Sequence, residues 1–168
     1  KEYILKGIEF GDSECMFNYA LFIYSETGKY TNEIDKYLKN SAEAGNVEAM
    51  YELGLFADEQ NRINDSKKWY RKAIEKGHTT AMNNLANVYS EEGNKEEAMK
   101  LYLKSAEKGN PLAFFNLGNY YEENNNIELA KEYYGKVLDS LKGYPTCKIE
   151  QEALEKLKRL ENNSELRK

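Results

Sequence analysis

Apolar residues recur every three to four positions through most of this chain, in short runs that break at glycine or asparagine and then start again. That spacing predicts amphipathic α-helices joined by tight turns. One run covers Val47 to Glu59, with Ala49, Leu53, Phe56 and Ala57 on a single face. The pattern returns with Ala81, Leu85, Val88 and Tyr89, and again with Ala113, Leu117, Tyr120 and Tyr121. Cys15, Tyr19, Phe22 and Ile23 form a looser version near the start. A small residue follows the position held by leucine each time: Ala20, Gly54, Ala86 and Gly118. Glycine inside a helix costs about 1 kcal/mol against alanine. Its use there predicts a close helix contact that a larger side chain would overpack.

A second series of helices alternates with the first. It places Tyr37-Leu38, Trp69-Tyr70, Leu101-Tyr102 and Tyr133-Tyr134 at matching positions, as aromatic and leucine wedges between neighbours. The turns inside each pair are Thr27-Gly28-Lys29, Gln60-Asn61-Arg62, Glu92-Gly93-Asn94 and Asn124-Asn125-Asn126. Asn94 and Glu97 have the spacing of a reciprocal capping pair. Between pairs comes a recurring phrase, Lys72-Ala73-Ile74-Glu75-Lys76-Gly77 and Lys104-Ser105-Ala106-Glu107-Lys108-Gly109, with a looser copy ending at Gly45. Gly11, Gly45, Gly77, Gly109 and Gly143 stand 34, 32, 32 and 34 residues apart. A period of that length predicts an all-α solenoid, a right-handed superhelix of stacked antiparallel helix pairs. Asp12, Asn46, His78 and Asn110 share one position before a first helix, which predicts N-caps.

The expected organisation is one repeat domain: repeats at 11–44, 45–76, 77–108 and 109–142, a capping helix at 143–161 and a frayed tail at 162–168. The capping helix would bury Ile149, Ala153, Leu157 and Leu160 and expose a polar face. Residues 1–10 align with a second helix, so the chain is expected to open partway through an earlier repeat. Tyr3, Ile4, Ile8 and Phe10 would then carry an unpaired apolar face and favour self-association through that end.

Asn84-Leu85-Ala86-Asn87-Val88-Tyr89 and Asn116-Leu117-Gly118-Asn119-Tyr120-Tyr121 are similar to the Asn-Leu-Gly-x-x-Tyr helix of the tetratricopeptide superfamily. The Lys-Ala-Ile-Glu-Lys-Gly junction resembles that of the Sel-like repeats within it. The inter-helix loops lack the Sel-like Gly-x-Gly-Val-x-x-Asp segment, and all but the slightly longer loop of the first repeat have tetratricopeptide length. The resemblance implies a protein-interaction scaffold or adaptor that binds a protein or peptide in a concave groove. A rival reading is an enzyme or enzyme subunit, as proposed for some Sel-like relatives.

Composition narrows this further. The net charge of −5 argues against attraction to nucleic acid or anionic lipid, and no apolar run is long enough to span a bilayer. Two distant cysteines, Cys15 and Cys147, do not make a disulfide framework. They leave the compartment open, with the cytoplasm favoured over an oxidising space. Abundant Lys and Asn would suit an AT-rich bacterial genome. A lone histidine at a cap position leaves no positioned base for nucleophilic catalysis, and no zinc spacing or phosphate-binding loop occurs. The expectation is no catalytic residue, no metal and no cofactor.

The family's binding positions map to Glu14, Phe17, Leu21 and Tyr24, then to Glu48, Tyr51, Leu55 and Asp58. Further on they map to Thr80, Asn83, Asn87 and Ser90, and to Leu112, Phe115, Asn119 and Glu122. No Lys or Arg stands among them, which excludes a clamp for acidic chaperone tails. The acids predict a partner with basic and apolar side chains. Phe17, Tyr51 and Phe115 share one position and are expected to stack as a ladder. Asn83, Asn87 and Asn119 are expected to hydrogen-bond a peptide backbone.

Overall fold

The computed structural model describes the backbone of residues 2–145 and 147–165, and the side chains of residues 6–145 and 147–162. Every regular element among these residues is helical. The first helices of the repeats are α2 (Ser13–Thr27), α4 (Val47–Glu59), α6 (Thr79–Glu91) and α8 (Pro111–Glu123). The second helices are α3 (Asn32–Glu43), α5 (Ile63–Glu75), α7 (Lys95–Glu107) and α9 (Ile127–Leu141). α1 (Glu2–Glu9) precedes them and α10 (Lys148–Glu165) follows. α10 runs past the expected helix end into the segment expected to fray, and residues 166–168 lie outside the described chain. The helices gather into two compact units, Lys1–Ala81 and Met82–Lys168.

Local chemistry sets each boundary. At the junctions Gly45, Gly77 and Gly109 take positive φ values of 97°, 92° and 80°. The next residue's N–H reaches back to the closing turn: His78 donates to the Ala73 carbonyl at 3.0 Å and Asn110 to the Ser105 carbonyl at 3.3 Å. This Schellman closure satisfies carbonyls that the helix end would orphan. The same residue then caps the following helix. Asp12, Asn46 and His78 accept from the N–H groups of Cys15, Ala49 and Ala81, and Asn110 accepts from Leu112. Inside the pairs, Asn61 and Asn125 adopt the left-handed conformation that Gly93 supplies in the third repeat. Asn94 caps α7, but the reciprocal half of the capping pair is not made. The Asn94 N–H already donates to the Tyr89 carbonyl, and the Glu97 carboxylate turns to Lys100 Nζ at 2.8 Å.

Packing explains the small residues. A Cβ added at Gly54 would sit 2.5 Å from Tyr70 Cδ1, and one at Gly118 would sit 2.5 Å from Tyr134 Cε1. The second-helix tyrosine lies flat on the first helix, and both rings are fully buried. In the first repeat the pair becomes Ala20 and Leu38, also fully buried. The first repeat is looser at its outer face, where Phe22 is exposed. In the second unit one core gathers Ala86, Ala98, Tyr102, Ala106, Ala113 and Leu117. A second joins Ala130, Tyr134 and Val137 to Ala153 and Leu160, so α10 covers α9 as a capping helix should. On α1, Phe10 is almost wholly exposed and Ile8 is half-buried, whereas the Tyr3 and Ile4 side chains lie outside the described residues.

Candidate functional site

In the first unit the mapped positions lie on α2 and α4. Glu14 and Glu48 are exposed, while Phe17, Leu21, Tyr24, Tyr51, Leu55 and Asp58 are half-buried. Tyr24 sets its edge against Phe56, with ring centroids 5.1 Å apart. Tyr51 stacks on the His78 imidazole at 4.4 Å and lies beside Tyr70 at 6.2 Å. So the Tyr51 ring is held by a second-helix tyrosine and by the cap of α6, contacts that the expected ladder did not include. His78 accepts the Ala81 N–H at Nδ1, so Nε2 carries the ring proton and donates to Glu48 at 3.3 Å. The histidine is thus a cap, an aromatic shelf and a carboxylate partner together. Sequence reading placed only the first of these roles. It also passed over Glu52, a half-buried carboxylate whose pKa is raised by burial, then by Glu48 and Glu59.

On α6 the corresponding places are polar. Asn83 departs from the expectation: it is only 2% exposed and its oxygen accepts from Asn116 Nδ2 at 3.0 Å. An amide so placed is not open to a peptide backbone. The same Asn116 group donates to Asn87 at 3.1 Å. Tyr102 then donates its hydroxyl to the Asn87 oxygen at 2.6 Å, and the Tyr134 hydroxyl oxygen lies 2.7 Å from the Asn119 side-chain amide. Burial, with Glu91 nearby, pushes the Tyr102 hydroxyl up to about 12, which keeps it a donor at neutral pH. A cleft of about 200 Å³ opens among these groups, lined by Ser90, Met99, Tyr102, Asn116, Asn119 and Tyr120. Sequence reading missed Asn116, which it held only as part of the family motif, without a role of its own.

Glu122 is not an open acidic contact either. It accepts from Tyr134 at 2.8 Å, from Lys156 Nζ at 3.1 Å and from Arg159 Nη2. Burial opposes its ionisation, but Tyr134, Lys156 and Arg159 outweigh burial and hold the carboxyl below the usual glutamate range. Both cations come from α10, which the family mapping did not include. Phe115 packs on Tyr134 at 5.7 Å and shares a cleft of about 270 Å³ with Lys156 and Arg159. Leu112 is exposed. Among the described residues, no group of three or more His, Cys, Asp or Glu side chains is placed to hold a metal ion. Among them, too, no helix is long and apolar enough to cross a membrane.

The sequence matches the tetratricopeptide repeat over residues 47–75, 78–108 and 112–140. Among solved structures the chain is similar to c5321, a protective antigen of uropathogenic Escherichia coli strains that displays an SLR fold. Identity is 29% and the TM-score 0.69, over 82% of this chain and 32% of that one. The chain therefore spans about a third of the antigen's length. It is also similar to a Sel1 repeat protein from Oxalobacter formigenes, at 22% identity and a TM-score of 0.73, over 93% of this chain and 74% of that one. MamA gives 22% identity and a TM-score of 0.63, over 83% of each chain. No curated protein matches the sequence.

Proposed function

The chain belongs to the tetratricopeptide repeat superfamily, and on that premise we propose that it is a non-catalytic adaptor binding a protein or peptide on its first-helix faces. Repeat scaffolds of this kind generally work through extended surfaces rather than catalytic pockets. The observation that carries the reading is the composition of the α2–α4 face. Its mapped positions set half-buried Phe17, Leu21, Tyr24, Tyr51 and Leu55 beside Glu14, Glu48 and Asp58, without one Lys or Arg. Rigid aromatic anchors with a like-charged rim suit a segment that carries apolar and basic side chains.

The test is selection of peptides from a random display library on the purified chain. Enriched sequences should pair Lys or Arg with apolar residues. Glu14→Lys with Glu48→Lys should slow their capture, and Tyr51→Ala should speed their release. Enrichment of sequences without basic residues, or unchanged capture by the charge-reversed variant, would overturn the reading.

A further inference from the structure

We infer that Glu52, which is not among the mapped positions, is the residue by which the α2–α4 face selects a Lys or Arg side chain of its partner, an assignment that rests on the adaptor reading above. Two observations carry this. The first is a half-buried carboxylate with nothing to hold it. Glu52 lies in the middle of α4 and is partly removed from water there. Among the described residues no hydrogen-bond donor and no Lys, Arg or His side chain reaches its carboxylate. The charges that act on it are Glu48 and Glu59, on its own helix and of its own sign. A carboxylate so placed, without a counter-charge, opposes folding. Other acids of the first helices are placed differently. Glu48 is exposed and accepts from His78 Nε2 at 3.3 Å, and Glu122 is closed by Lys156 and Arg159.

The second observation is the repeat register. Counted from the aligned residues Cys15, Ala49, Ala81 and Ala113, Glu52 holds the place of Asn116. In the second unit that place is a bridge, because Asn116 donates to Asn83 and Asn87 on the preceding first helix. The residues of α2 that answer to Asn83 and Asn87 are Phe17 and Leu21. Neither has a polar side-chain atom, so α2 offers Glu52 no side-chain donor at either place. A partner's cation supplies what the chain itself does not. The stem of a Lys or Arg lies along apolar surface while its head reaches an acid, and Phe17, Leu21 and Leu55 give this face half-buried apolar surface. Partial burial of the acid makes such a pair stronger than one at the exposed rim.

The probes are the basic peptides enriched in the selection above, with copies in which each Lys or Arg is replaced in turn by acetyl-lysine or citrulline, close in shape and uncharged. Calorimetric titration of the full chain should find one cation whose loss weakens binding about 10-fold, the scale of a hydrogen-bonded charge pair. Glu52→Gln should weaken the parent peptide by a similar factor and leave that uncharged copy unaffected, the mark of a direct pair. Glu48→Gln, at an exposed acid, should cost less, about 2- to 5-fold. The Glu52→Gln chain should also melt at a higher temperature than the parent. Affinity and stability would then move in opposite directions, which a merely structural role does not produce. An affinity that ignores Glu52→Gln, an equal loss for charged and uncharged peptides, or a lower melting temperature overturns the assignment. If capture of the same peptides still slows with Glu14→Lys and Glu48→Lys, the adaptor reading stands without it. Enrichment of peptides that lack basic residues removes both.

Discussion

The contact between Gly118 and Tyr134 shows why one small residue recurs in each first helix. Gly118→Ala would press its Cβ into the Tyr134 ring, and overpacking of that kind costs roughly 1–3 kcal/mol. The third repeat does carry alanine there, Ala86, and its tyrosine, Tyr102, is 8% exposed where Tyr70 and Tyr134 are fully buried. Relaxation of the ring outward therefore sets the lower end of that range. Urea unfolding of Gly118→Ala, Tyr134→Leu and the double variant should be non-additive, since leucine is what faces Ala20 in the first repeat. His78 permits a second comparison. His78→Ala removes the cap of α6 and the shelf under Tyr51, and should cost about 1 kcal/mol. His78→Asn should restore most of it, because Asn46 caps α4 by accepting from the N–H three residues on, as His78 does for α6. A urea midpoint for His78→Asn as low as that for His78→Ala would show that the ring stack outweighs the cap.

At the scale of elements, the fastening of α10 is the arrangement with most consequence. Glu122 takes two cations from α10 and a hydroxyl from α9, and so ties three helices together. Glu122→Gln should loosen α10, read as faster amide exchange there, at a cost on the order of 1 kcal/mol because Arg159 remains half-exposed. Its pH dependence follows from the depressed carboxyl value. As pH falls the unfolded chain takes up this proton first, so the clamp contributes fully above the ordinary glutamate value of about 4.3 and is lost as pH drops through the lower folded value. Glu52 behaves in the opposite sense. Its folded value is raised, chiefly by burial, so ionisation opposes folding at neutral pH. Glu52→Gln should raise the thermal midpoint at pH 7, and the gain should shrink as pH falls through the raised value. A loss of stability from Glu52→Gln at neutral pH would mean that the carboxylate has a favourable partner.

For the whole molecule, the net charge of −5 and the acidic α2–α4 face predict a salt response. Capture of a basic peptide by the α2–α4 face should slow as salt rises from low to physiological strength, where screening acts within about 8–10 Å. Stopped-flow rates across a salt series check this, and a capture rate that ignores salt would contradict it.

Much of this architecture could be read along the chain. Helix starts, caps, turns and the glycine-ended junctions obey rules that act within about one helical turn, and the repeat period announces the stacked pairs. The small residue under each tyrosine was legible too, because a glycine in mid-helix is costly unless something packs on it. Contacts between distant segments were not. Glu122 reads as an open acid until α10 brings Lys156 and Arg159 to it across 34 and 37 residues. Asn83 reads as a peptide contact until Asn116 closes over it across 33 residues. Glu48 gains its histidine across 30. Local patterning determined which face of each helix is apolar. Tertiary packing decided which polar groups on the other face are already spent on one another, because a hydrogen bond or ion pair depends on proximity that a one-dimensional period does not carry.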